Sequence, residues 1–303
     1  YINRPQAIQV LKQAFLRGGR VLLEGEAGAG KTRLMFEAFR GLEPAPRLIL
    51  ASCRDGNQTS PYQAMIRTIR HQILQTEWNA LERVWVAHLI HLMPELITLR
   101  PDVEPASHLA ENESTLLEAI YQLMLVIARP GKLLFILDDA QWHDQVSLNA
   151  LSYACQRGFF TQHGLLVVAY RPEEETPVLQ RLIAATTPGL PSQRIRLEPF
   201  SAEEVRQFTQ KMLGQTPSDE VINRLIRETG GNPLFLQESL YLQLNQAPLD
   251  INQMGENLPL SGNLQSVARE RLQRLSPTTR QVAGVAAVIG DVFMPELLEV
   301  AGN

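Results

Sequence analysis

The chain contains 303 residues, of which 45% are hydrophobic and 20% are charged, so it has enough apolar material for one or two packed cores. This composition excludes a disordered chain and a fibrous repeat. The 28 basic and 32 acidic side chains give a net charge of -4, which argues against a broad basic surface. We therefore expect no direct nucleic-acid binding by this chain and no attraction to an anionic membrane.

The two cysteines, Cys53 and Cys155, lie far apart in the sequence and do not suggest a disulfide framework. No apolar run approaches the ~20 residues that a bilayer-spanning helix needs, so no membrane partner is expected. The chain opens at Tyr1 without an initiator methionine or a secretory signal. We expect a cytoplasmic segment of a longer protein.

Short apolar runs alternate with amphipathic stretches over residues 1–200. The runs are too short for helices and are typical of buried strands; they lie at 20–24, 47–52, 132–137, 164–170 and 194–197. Parallel neighbours need connections long enough to hold a helix, which this alternation supplies. The sequence predicts an α/β fold with a five-stranded parallel sheet and a long helical insertion at about 62–127.

The pattern becomes helical after the fifth strand. Ser201 and Glu204 have the spacing of a capping box, a second helix is predicted from about 218 to 228, and Asn232 with Pro233 can begin a third. These helices predict a small helical lid domain at 201–246. A polar linker and the start of a further domain are expected at 247–303.

The first strand leads directly into Gly25-Glu-Ala-Gly-Ala-Gly-Lys-Thr32, a complete G-x-x-x-x-G-K-T pattern followed by an amphipathic helix. Glycines let backbone N–H groups approach a phosphate, and the helix N-terminus favours the anion. Lys31 is expected to reach the β- and γ-phosphates, and Thr32 to bind Mg²⁺. The residues expected to line the nucleotide are Gly25, Ala27, Gly28, Ala29, Gly30, Lys31, Thr32 and Arg33.

The third strand ends in two carboxylates, Asp138 and Asp139, at the edge of an open sheet where ligands bind. Asp138 is expected to hold Mg²⁺, and Asp139 to orient or deprotonate an attacking water. The alternative is that the pair ends the strand and caps the next helix. Arg171 follows the fourth strand, where a cation would sit beside the γ-phosphate, although a surface position is also open. Lys31, Asp139 and Arg171 are thus the candidate catalytic residues.

Residues 140–144, Ala-Gln-Trp-His-Asp, favour a structural interpretation. Asp144 is placed to cap the helix through Ser147, and Trp142 can serve as a packing residue.

Seven stretches together resemble the STAND ATPases, a signal-transduction branch of the AAA-like P-loop proteins. They are YINRPQAIQVL at 1–11, the glycine loop, LDDAQWHD at 137–144, AYRPEE at 169–174, LEPFSAEEV at 197–205, GGNPLFLQESL at 230–240 and ARERLQRLSPTTR at 268–280. The resemblance implies that Ile2, Asn3 and Arg4 cover the adenine on one side and that Pro233 touches the base or ribose on the other. The usual Gly-Arg-Glu of the opening motif is replaced by Asn3-Arg4-Pro5. The resemblance also implies that the last segment begins a winged-helix domain.

The resemblance implies an ATPase switch that binds ATP or ADP with Mg²⁺, and slow turnover is expected because a switch needs a long-lived bound state. The implied partners are further copies of the chain, in a nucleotide-dependent assembly, and sensor or effector domains of the full-length protein. The assignment of adenine as the bound base depends on the resemblance. The sequence contains no Asn-Lys-x-Asp element, which is typical of guanine binding. Two alternatives stay open: a replication-initiator-like ATPase that acts on DNA, and a small-molecule phosphotransferase in which Asp139 activates a hydroxyl. The first needs an arginine from a neighbouring subunit, for which Arg181, Arg194 and Arg196 cannot be ranked.

Overall fold

The structure, a computed structural model, describes residues 4–53, 62–106, 113–184, 190–244, 272 and 276–289. The chain divides into two compact units, and the boundary falls between Glu198 and Pro199. The larger unit runs from Asn3 to Glu198, and the smaller comprises residues 1–2 and 199–303. None of the described helices combines the length and the hydrophobicity needed to cross a bilayer.

The larger unit is built from alternating helices and strands. In chain order they are α1 (Pro5–Arg17), β1 (Gly19–Glu24), α2 (Lys31–Phe39), β2 (Arg47–Ser52), α3 (Gln63–Gln72), α4 (Gln75–Ala80), α5 (Arg83–Leu89), α6 (Leu96–Leu99), α7 (Glu113–Ile127), β3 (Leu133–Asp138), α8 (Gln145–Gln156), α9 (Phe159–His163), β4 (Gly164–Tyr170), α10 (Pro177–Ala184) and β5 (Ser192–Arg196). Short 3₁₀ turns cover Ala140–Trp142 and Pro172–Glu174.

The five strands form one parallel sheet in the order β2-β3-β4-β1-β5. Every residue of β1, β3 and β4 is buried, which explains why their sequences are continuous apolar runs rather than alternating ones. The predicted five-stranded parallel sheet is confirmed; β2 and β4 have the predicted bounds, and the ends of the other three strands differ by at most two residues. Because β4 lies between β3 and β1, the segments that follow these three strands meet at one edge of the sheet.

Helices cover both faces of the sheet. Along β1, Val21 and Leu23 pack with α1 and α2 on one face, whereas Leu22 faces the opposite core. That opposite core contains the helical insertion, α3 to α7, together with α8, α9 and α10. The insertion therefore enlarges one layer of the fold and leaves the order of the strands unchanged.

The smaller unit contains α11 (Ala202–Leu213), α12 (Asp219–Thr229), α13 (Pro233–Leu244) and α14 (Pro277–Ile289). Its core is formed by apolar side chains of the first three helices and the segment before them, among them Phe200, Val205, Phe208, Ile222, Leu225, Leu236 and Leu240. The predicted capping box is confirmed: Ser201 Oγ accepts from Glu204 N, and Glu204 Oε2 accepts from Ser201 N. Of residues 247–303 only 272 and 276–289 are described, so the winged-helix domain stays a prediction.

Gly230 and Gly231 offer a matched test of backbone geometry in the smaller unit. Both have positive φ, 60° and 72°. A Cβ at Gly231 would lie 2.6 Å from Phe200 O, whereas one at Gly230 meets nothing within 4 Å. Gly230→Ala is expected to cost about 1 kcal/mol of unfolding free energy, the penalty of the left-handed backbone alone. Gly231→Ala should cost at least about 2 kcal/mol, because the clash adds to this penalty. Urea unfolding would measure both, and equal losses would show that the clash is absorbed.

Candidate functional site

The loop between β1 and α2 has the backbone that its glycines predict. Gly28 and Gly30 have φ of 81° and 92°, in the region that favours glycine, and Ala29 N donates to Glu26 O to close the turn. Gly30 caps α2, which begins at Lys31. The loop thus ends at a helix N-terminus, where partial positive charge favours an anion.

Lys31 is buried, and its ammonium group lies against the loop. Nζ donates to Gly25 O at 2.6 Å and to Glu26 O at 3.0 Å. Burial lowers the pKa of Lys31; the charge of Asp139 raises it and that of Arg171 lowers it. The lysine is therefore a desolvated cation within electrostatic range of both other candidate catalytic residues.

Thr32 and Asp138 meet across 106 residues of sequence. Thr32 Oγ1 donates to Asp138 Oδ2 at 2.8 Å. Burial raises the pKa of Asp138, and the hydrogen bond from Thr32 opposes that shift. A hydroxyl beside a carboxylate fits Mg²⁺, which binds one or two protein oxygens and completes its shell with phosphates and water.

Asp139 follows β3 in a left-handed conformation, with φ of 49°. Such backbone is uncommon for a residue other than glycine, and residues held in it cluster at functional sites. Asp139 Oδ1 accepts from Gln141 Nε2 at 3.1 Å and lies 3.6 Å from Arg171 Nε. Its carboxylate is thus oriented by two groups and stays partly exposed.

Arg171 is half-buried, with its side chain 13% exposed, which favours a position at the site over a solvated surface position. Its guanidinium lies over the Trp142 ring, 4.5 Å from the centroid, and Nη1 donates to Glu174 Oε1 at 2.9 Å. Arg171 N donates to Gln141 Oε1 at 3.3 Å. The ends of β3 and β4 are thereby joined at the site.

Three further side chains contact the candidate catalytic residues and were not predicted from the sequence: Gln141, Trp142 and Glu174. The only available signal was their position in the stretches after β3 and β4. Asp144 was predicted correctly as a cap: Oδ1 accepts from Ser147 N at 2.9 Å, and it also accepts from Tyr62 N at 3.0 Å.

His143 is buried next to the site, and its Nε2 lies 3.3 Å from Asp138 O. A carbonyl only accepts, so Nε2 carries the proton of the neutral ring. Burial lowers the pKa of His143 to about 4. Between pH 6.5 and about 4 the unfolded chain binds a proton at this residue that the folded chain does not. We therefore expect His143 to lower the free energy of unfolding, by roughly 3 kcal/mol, as the pH falls through this window.

His143→Gln should remove this contribution, since glutamine can donate to the same carbonyl without titrating. We expect a shallower loss of stability between pH 6.5 and 4 than in the wild type, measured by urea unfolding at several pH values. Parallel curves for the two proteins would contradict this prediction.

The other residues predicted to contact the nucleotide are Ile2, Asn3, Arg4, Arg33 and Pro233. Arg4 Nη2 donates to Glu198 O at 2.7 Å, and Arg33 pairs with Glu37 one turn along α2 at 2.8 Å. Ile2 and Asn3 lie outside the described residues. Pro233 is the first residue of α13, where Asn232 Oδ1 accepts from Leu234 N. The nucleotide contacts assigned to these residues stay predictions.

Several solved structures are similar to the chain. A Walker-type ATPase of Pyrococcus abyssi has a TM-score of 0.55 and 15% identity, over 99% of this chain and 88% of its own. The ORC2 protein of Aeropyrum pernix, in ADPNP and ADP complexes, has a TM-score of 0.52 and 13% identity, over 100% and 79%. A STAND protein of Pyrococcus horikoshii with a tetratricopeptide repeat sensor has a TM-score of 0.46 and 14% identity, and this chain spans 39% of its length.

At these identities the first two likenesses show the fold, that of P-loop ATPases. No curated protein sequence matches the chain. The AAA ATPase domain family matches residues 4–168, which include the glycine loop, α2 and the two carboxylates after β3. This match covers more than half of the sequence, and the chain therefore belongs to the AAA ATPase domain family.

Proposed function

We propose that the chain binds ATP and ADP with Mg²⁺ and hydrolyses ATP slowly, as the nucleotide-dependent switch of a larger protein. The observation that carries the proposal is the contact between Thr32 and Asp138 beside the buried Lys31. A phosphate loop, an oxygen pair suited to Mg²⁺ and a cation thus lie together. The family match supports the proposal.

Each residue has a definite task in this proposal. The loop amides and Lys31 hold the β- and γ-phosphates, and Thr32 and Asp138 would hold Mg²⁺, which neutralises phosphate charge when bound. Asp139 accepts a proton from the attacking water, and its contact with Gln141 keeps the carboxylate in one orientation. Arg171, 3.6 Å from Asp139, stabilises charge on the transferred phosphoryl group.

The switch operates if ATP and ADP differ in affinity for two arrangements of the full-length protein. ADP would favour an inactive arrangement, and ATP would favour one that assembles with further copies of the chain. Hydrolysis of ATP would restore the inactive arrangement. Slow turnover follows from this role, because a switch needs a long-lived bound state. Steady-state turnover of many ATP molecules per second would argue against it.

The proposal is tested by denaturing the purified protein and identifying any released nucleotide by chromatography. We expect ADP. Calorimetry with Mg·ADP and Mg·ATP on nucleotide-free protein completes the test. Material that carries no nucleotide and shows no binding of either form would refute the proposal.

A replication-initiator-like ATPase is the second candidate, because the ORC2 protein of Aeropyrum pernix has a similar fold. Two arginines near the end of β5 are exposed: Arg194, paired with Glu24 at 2.6 Å, and Arg196, paired with Glu198 at 2.9 Å. ATP turnover that rises several-fold on addition of duplex DNA would favour this candidate. A phosphotransferase is tested by adding a small-molecule acceptor in place of DNA. A phosphorylated product would favour that function.

A further inference from the structure

Glu174 lies in the turn after β4, and both of its carboxylate oxygens accept hydrogen bonds. Oε1 accepts from Arg171 Nη1 at 2.9 Å, and Oε2 accepts from Trp142 Nε1 at 3.1 Å. The two donors belong to different segments, the turn after β3 and the end of β4. Glu174 is thus held in one orientation against the Arg171 guanidinium.

Arg171 is only partly satisfied by these contacts. Its side chain is 13% exposed and stacks on Trp142, which limits its access to water. The buried Nε has no hydrogen-bond acceptor within the part of the chain that the structure describes, and Asp139 Oδ1 lies at 3.6 Å. A desolvated guanidinium with an unused donor readily takes a further oxyanion ligand.

We propose that Glu174 is a specificity-determining residue that lowers the preference of the site for nucleoside triphosphate over diphosphate. It does so by competing with the γ-phosphate for Arg171, an inference that rests on the proposed function. A guanidinium pairs with carboxylates and with phosphates. The positive charge of Arg171 that Glu174 neutralises is therefore not available to the γ-phosphate. A diphosphate has no γ-phosphate, and its binding is therefore insensitive to Glu174.

The test is the ratio of the dissociation constant of Mg·ADP to that of a nonhydrolysable Mg·ATP analogue, measured by calorimetry. Glu174→Gln keeps the size of the side chain and removes its charge. We expect the ratio to rise about tenfold, equivalent to about 1.4 kcal/mol, through tighter binding of the triphosphate. The affinity for ADP should stay within about twofold of the wild type.

Glu175→Gln is the matched control, because it removes the same charge from the adjacent position at the end of the same turn and Glu175 is not among the charges that act on Lys31. Its ratio should equal that of the wild type. Trp142→Phe provides a second variant should Glu174→Gln fail to fold. It keeps the aromatic ring but removes the Nε1–H that holds Glu174, and the ratio should rise by less than in Glu174→Gln.

A double-mutant cycle shows whether Glu174 acts through Arg171. In an Arg171→Ala background, Glu174→Gln should leave the ratio unchanged. An equal rise with and without Arg171 would overturn the inference, as would an unchanged or lowered ratio in Glu174→Gln while both nucleotides bind. Absence of all nucleotide binding in the wild type would refute the proposed function itself, and the inference with it.

Discussion

Replacing Lys31 with alanine is expected to abolish the stabilisation of the folded protein by Mg·ADP. For the wild type, ligand at 100 times its dissociation constant should add about 2.7 kcal/mol to the free energy of unfolding. Lys31 supplies the buried cation of the phosphate loop, held by two loop carbonyls, and alanine cannot compensate phosphate charge. The measurement is unfolding of each protein with and without saturating Mg·ADP.

Lys12→Ala serves as the control, since it removes the same charge from a half-buried position on α1, outside the phosphate loop. It should keep the full ligand effect. If Lys31→Ala is stabilised as much as the wild type, Lys31 does not belong to the binding site.

Replacing Asp139 with asparagine should lower kcat for ATP hydrolysis by at least about 100-fold while nucleotide binding is retained. A positioned general base contributes about 10² to 10⁴ in rate, and an amide cannot take the proton. Asparagine keeps an oxygen that can accept from Gln141, so the local structure should persist. Single-turnover hydrolysis and calorimetry on the same preparation separate the chemical step from binding.

Asp138→Asn provides the contrast, because Asp138 is assigned to Mg²⁺ rather than to the water. It should weaken nucleotide binding in the presence of Mg²⁺ more than in its absence. If Asp139→Asn keeps the wild-type kcat, a group other than Asp139 acts as the base.

The sheet could be predicted because each strand is indicated by the pattern of its own residues. The strands β1, β3 and β4 are buried on both faces, and burial on both sides demands an uninterrupted apolar run that is visible without any partner. The caps at Ser201 and Asp144 were equally predictable, since each side chain binds the backbone three residues ahead. The glycine loop is similarly encoded within eight consecutive residues.

The surroundings of Arg171 could not be predicted, because they depend on contacts between distant segments. Trp142 and Arg171 are 29 positions apart and meet only because β3 and β4 are neighbours in the sheet. No periodicity in either segment indicates that the tryptophan stacks on the arginine or that Glu174 joins them. Such side-chain packing follows from strand order, which the sequence pattern alone left open.

The pairing of β1 with β4 and β5 also determines when this protein can mature during its synthesis. Gly19 is paired with Leu165, so the first strand emerges from the ribosome about 145 residues before its inner neighbour. At the usual pace of translation that interval is roughly 7 to 30 s. Until then the strand before the glycine loop has neither of its two neighbours, and nascent chains that stop before β4 should not be retained by immobilised ATP.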